Sequence, residues 1–168
     1  NVLFANWKKG TIYNANFPAP PNQTGKSLTI VNRDGSSQSN IVMANLAIKR
    51  NDADYFAMLV LNQVFGGGPS ARLFMNIREE KGYTYGAYSS FDTRRLAGSF
   101  GSNAEVRNEV TGASLKEFFY EMERIRTTPV PDKELADAKS YLTGIFPIQM
   151  ETLDGSLGEF VNIQTNNL

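Results

Sequence analysis

Among the 168 residues there is no histidine and no cysteine. That removes the imidazole base of a Ser-His-Asp triad and both members of a Cys-His pair, so nucleophilic hydrolysis by those routes is excluded. A zinc ion would find only carboxylates, a poor match to the imidazole and thiolate ligands it usually takes. Without cysteine there is no disulfide framework, and thiols say nothing about the redox compartment. Net charge is lacking too. Seventeen basic and seventeen acidic residues cancel, so electrostatics give no reason to expect nucleic acid or an anionic membrane as partner. No apolar run approaches the roughly eighteen residues of a spanning helix. The opening NVLFANWKKG has neither a basic n-region nor an initiator Met and reads as part of a longer precursor.

What is present suits one folded body. A chain of this length buries roughly 70% of its unfolded surface, and hydrophobic residues make up 41% of it. Residues 1–26 are rich in Asn and Pro. The run FPAPPNQTGK from Phe17 to Lys26 denies the backbone donors of regular structure, so 1–26 is expected to be a connecting segment and 27–168 a single domain. Alternation of apolar and polar residues predicts strands over Ser27–Arg33 and Gln38–Lys49, with a turn at Asp34-Gly35-Ser36-Ser37. Tyr55, Phe56, Leu59, Val60 and Val64 fall at helical spacing after a cap at Asn51 or Asp52, and Gly66-Gly67-Gly68 ends that helix. Ser70 is placed to cap a shorter helix ending near Gly82.

Thr84–Thr93 and Leu96–Asn103 read as a hairpin turning at Arg94-Arg95. Two amphipathic helices follow, one with the stripe Val110, Ala113, Leu115, Phe118, Phe119, Met122 and Ile125, the other with Leu135, Ala138, Tyr141, Leu142 and Ile145. Pro129 and Pro131 separate them, and a last helix runs from about Leu153. The expected fold is α+β, an antiparallel sheet of four strands with helices packed on one face.

Single residues have plain readings. Gly66 to Ser70 resembles a phosphate loop only loosely, since GGGPSAR lacks the Lys-Ser/Thr ending. Arg78 complements a helix dipole at the end of its helix. Tyr85 and Tyr88 are ordinary strand residues. Arg94-Arg95 makes a solvated hairpin tip, and Glu79, Glu80, Glu121 and Glu123 lie on polar helix faces near Lys81 and Arg124.

Taken together, LNQVFGGGPSARLFMNIREEKGYTYGAYSS closely resembles a motif of the pitrilysin/insulinase family of zinc peptidases, peptidase family M16. Trp7 with Lys8-Lys9, Gln38-Ser39, and ELADAKSYLTGIFP followed by Glu151-Thr152 agree in order. The resemblance implies a partial domain of processing-peptidase/LuxS-like metallohydrolase fold, the second half of the non-catalytic C-terminal domain. It implies no cofactor on this chain. Zinc is expected in a partner domain that carries the HxxEH motif, in the same polypeptide or a separate subunit, with peptide as the substrate. Arg78 and Tyr85 match the family's Arg and Tyr that reach to the partner's zinc site. Tyr88 and Phe91 are candidates for lining the chamber, and Tyr83 and Thr84 are expected to alter the lining beside Tyr85. A periplasmic or secreted location follows from the Asn/Gln/Ser-rich surface and from secreted bacterial members, with the cytoplasm as alternative. Two other functions stay open at this point: an assembly subunit without proteolysis, and an anion-binding module at Gly66–Ser70.

Overall fold

The structure is a computed structural model that describes residues 3, 5–11, 13, 15–19 and 24–168. The chain divides into two units, Asn1–Val31 and Asn32–Leu168. The described residues of the first contain no helix or strand. The proline-rich connection over Phe17–Lys26 lies partly outside the described residues.

In the second unit three antiparallel strands form a sheet in the order β1-β3-β2, with β1 Gln38–Ala47, β2 Thr84–Asp92 and β3 Gly98–Arg107. The sheet has three strands and not the expected four, because Ser27–Arg33 takes no strand geometry and Leu28, Ile30 and Val31 stay exposed. Alternating apolar residues give a segment the capacity for a strand, but only a partner edge supplies its ladder bonds.

Period-two alternation sorts the strands into two faces. Ile41 of β1, Ala87 and Ser89 of β2, and Ser102, Ala104 and Val106 of β3 are buried. Val42, Asn103 and Tyr88, which the register aligns in one row across the sheet, lie on the other face. Helices cover the first face: α1 (Tyr55–Phe65) packs on β2, and α2 (Thr111–Thr127) packs on β1 and β3. Behind them α3 (Asp132–Met150) rests on α1, and α4 (Leu153–Asn166) on α3. The core joins Ile41, Phe65, Leu73, Ile77, Ala87, Ala104, Val106 and Phe118. Ala87 and Ala104 are cross-strand partners, and their small side chains leave room over the sheet for Phe65 and Phe118. Burying each large side chain of this cluster contributes roughly 2–3 kcal/mol.

Some positions differ from the sequence reading. No side chain caps α1, although the Asp52 carboxylate accepts the Asp54 N–H at 3.1 Å just before it. On α2 the buried line runs Ser114, Phe118 and Glu121, which leaves Phe119 exposed one residue off the stripe. Glu121, expected in solvent, is only 2% exposed. Its carboxylate accepts hydrogen bonds from Asn76 Nδ2 at 2.9 Å and from Arg124 at 3.3 Å, which offset the loss of water around the charge.

Candidate functional site

Between α1 and β2 the chain makes a helical segment whose last seven residues, Phe74–Glu80, have the wider π geometry. Two side chains anchor it. Arg72, 5% exposed, donates from Nε and Nη2 to the two oxygens of Glu134 at 2.7 and 2.8 Å. Asn76 Nδ2 donates to Glu117 at 3.1 Å as well as to Glu121. The segment is thus tied to α3 and to α2, while Leu73 and Ile77 enter the core. The fork of hydrogen bonds from Arg72 holds the Glu134 carboxyl below the usual carboxylate range, and the same contact raises the Arg72 guanidinium.

The segment ends in two nested bonds, Tyr83 N–H to Ile77 C=O and Gly82 N–H to Arg78 C=O, both 3.0 Å. Each spans one residue more than in the usual glycine-terminated helix end, as the π geometry requires. Gly82 takes a left-handed φ of 65°, which costs a residue with Cβ about 1–2 kcal/mol. Tyr83 then packs, partly buried, against the core.

Arg78 lies in the last turn of this segment, where a cation also complements the helix dipole. Its side chain is 40% exposed and pairs with Glu79. Its guanidinium carbon sits 4.8 Å from the centroid of the Phe74 ring.

Tyr85 owes its position to an irregularity in β2. Thr84 pairs with Val106 and Ala87 with Ala104, so Tyr85 and Gly86 together stand opposite Glu105 alone. This is a β-bulge, a device that breaks the alternation and re-aims a side chain. Tyr85 is 92% exposed. The Thr84 hydroxyl secures the bulge, donating to the Glu105 carbonyl at 2.6 Å and accepting the Gly86 N–H at 3.1 Å.

Tyr88 is half-exposed on the sheet face away from the helices, its ring 5.5 Å from that of Phe74. Phe91, an odd number of residues further on, falls on the helix-covered face, with its ring 5.9 Å from Tyr55 of α1. Contacts therefore link Arg78, Phe74 and Tyr88, while Phe91 does not join them. The contact of Phe74 with Arg78, and the bulge that Thr84 and Gly86 build, escaped the sequence reading. The four-residue spacing of Phe74 and Arg78 on a helix was the available signal for the first.

The glycine run serves packing. Gly66 C=O accepts the Ser89 N–H at 2.8 Å, which fastens the end of α1 to β2. A side-chain carbon on Gly66 would come within 2.5 Å of that Ser89 nitrogen. The Gly66 and Ala71 amides donate to Asn62 and Gly68 carbonyls, so neither is offered to an anion. Arg94 is exposed beside Asp92 at the hairpin tip. Among the described residues no group of three or more acidic side chains could hold a metal ion. Histidine and cysteine are absent throughout, so this chain's own residues do not fit zinc.

A family model described as the peptidase M16 inactive domain matches residues 2–142. A zinc protease of Streptomyces coelicolor is 30% identical over 116 residues, covering 69% of this chain and 25% of that protein. The zinc protease YmxG of Bacillus subtilis is 23% identical over 125 residues, covering 73% of this chain and 30% of its own. Among solved structures, a peptidase M16 inactive domain from Pseudomonas fluorescens superposes with a TM-score of 0.73 at 34% identity, over 79% of this chain and 32% of that one. A protease from Helicobacter pylori shares the fold with a TM-score of 0.74 at 19% identity. The chain spans about a third or less of the length of each of these relatives.

Proposed function

The chain belongs to the peptidase M16 family as its inactive domain, and on that premise we propose that it supplies Arg78 and Tyr85 to peptide hydrolysis carried out at the zinc site of a partner HxxEH domain. It closes one side of the substrate chamber, and extended peptides are its substrate class. The partner is part of the same polypeptide or a separate subunit, and the periplasm or the cell exterior is the place of action.

The observation that carries this reading is the bulge at Tyr85. A strand of regular alternation keeps its side chains on two fixed faces. Here the extra residue turns a tyrosine out to 92% exposure next to the end of the helical segment that bears Arg78. Neither side chain holds up the core of this unit. A guanidinium offers five donors in a fixed fork and a phenol one more, all directed at oxygen acceptors. Such donors bind and orient a substrate carbonyl, and they gain most where negative charge grows on that oxygen during attack. Because the donors and the metal come from different domains, closure of the two halves assembles the site and excludes water.

Steady-state kinetics of the complete protein, with its catalytic domain, test this. Arg78→Ala and Tyr85→Phe are each expected to lower kcat by about 10²-fold with a smaller change in KM, the pattern for a donor that acts in the transition state. Thermal stability stays near that of the parent, since neither side chain is buried. Unchanged turnover in both variants would sink the proposed role and leave an assembly function in its place.

A further inference from the structure

Among the described residues the Arg78 guanidinium has one charged partner, its exposed neighbour Glu79, and no backbone carbonyl among them accepts from it. Beside that pair stands a column of rings: the guanidinium lies over Phe74, whose ring packs at 46° against that of Tyr88. The Tyr88 ring in turn crosses the backbone at Gly86, where a methyl group would lie 2.6 Å from its Cε2 and 3.3 Å from its hydroxyl oxygen. Gly86 is one of the two bulge residues. The column therefore runs without a break from the end of the helical segment to the bulge that carries Tyr85.

We propose that Phe74 and Tyr88 are positioning residues, whose stacked rings hold the Arg78 guanidinium beside the Tyr85 bulge, with Gly86 bare because the Tyr88 ring fills its side-chain space. This rests on the reading that Arg78 serves the partner's site. The chemistry favours rings for the task. Glu79 engages only Nη1 of the guanidinium, and an aromatic face attracts the cation through its quadrupole while leaving the remaining donors in the guanidinium plane free. A long side chain without such a platform spreads over many rotamers, and a donor misplaced by about 1 Å loses much of its effect on rate. Phe74 is buried, so the base of the column has little room to move. Gly86 has no left-handed φ, so contact with the Tyr88 ring is the reason a side chain is excluded there.

The test uses the complete protein with selective ¹⁵N-arginine labelling, reading the order of the Arg78 Nε–Hε vector by relaxation alongside kcat and KM. Tyr88→Leu removes a ring that does not touch Arg78, and Gly86→Ala keeps both rings while displacing one. Both are expected to lower the order of Arg78 and to reduce kcat about tenfold with KM within about twofold. Phe74→Leu has the same effect, and Phe74→Tyr, which keeps the π face, recovers most of the loss. Unchanged Arg78 order in Tyr88→Leu and Gly86→Ala overturns the proposal, as does failure of Phe74→Tyr to rescue. Should Phe74→Leu misfold, the two substitutions on β2 still decide it. If Arg78→Ala leaves turnover intact while the relaxation responds as stated, the catalytic role fails and the column stands.

Discussion

Arg72 and Glu134 are 62 positions apart in sequence and joined by two short hydrogen bonds. The arginine side chain is 4% exposed and the glutamate 29%. Removing one partner leaves the buried guanidinium without its counter-ion, so Glu134→Gln is expected to destabilise the fold by about 1–3 kcal/mol, read from urea unfolding. The pH dependence has a definite sign. Contact with Arg72 lowers the pKa of Glu134 in the folded state. The folded protein thus binds this proton more weakly than the unfolded chain does. The stabilisation is complete above the unfolded pKa of an ordinary glutamate and is lost as pH falls through the folded value. Urea midpoints measured from neutral pH down into the acid range should fall less steeply in Glu134→Gln than in the parent. Equal slopes would show that the pair contributes nothing to acid sensitivity.

At the scale of elements, the join between α1 and β2 sets where the site stands. It consists of the Ser89 N–H on the Gly66 carbonyl and the Ser89 hydroxyl donating to Asn62 Oδ1 at 2.8 Å. Both residues of the join are close-packed, and the space a side chain at position 66 would enter is filled by Ser89 backbone. Gly66→Ala must force the helix end away from the strand, and a loss of roughly 1–3 kcal/mol is expected, typical of overpacking. Hydrogen exchange should localise the loosening to α1 and the middle of β2. A uniform change across the unit, or none, would mean that the glycine is dispensable for docking. Gly82 plays a different part, because its left-handed φ of 65° ends the π segment and sends the chain into β2.

At the scale of the whole molecule the proposed place of the metal is the partner domain. With no histidine or cysteine in 168 residues, the chain offers zinc neither imidazole nor thiolate. Titration calorimetry of the chain with zinc is expected to give no saturable one-to-one binding, and a chelator should leave its thermal midpoint unchanged. Tight stoichiometric uptake would overturn the proposed division of labour, in which this domain contributes donors and its partner the metal. The chain spans only 25% of the Streptomyces coelicolor zinc protease and 30% of YmxG. On helix α4, Leu153, Leu157 and Phe160 are exposed.

The amino-acid sequence by itself determined the family, the lack of imidazole and thiolate ligands, and the helices over residues 55–65, 111–127, 132–150 and 153–166. These depend on residue types and local periodicity, which a sequence states directly. The opposite facing of Tyr88 and Phe91 was legible too, from strand parity alone. Tertiary structure decided the rest. The bulge at Tyr85 exists only because β3 offers one residue, Glu105, where β2 offers two, and a register between strands is not written in either strand alone. Glu121 is buried because Asn76 and Arg124 meet it there, and Ser27–Arg33 forms no strand in spite of its alternation. Each of these turns on a partner, and partners distant in sequence are chosen by packing.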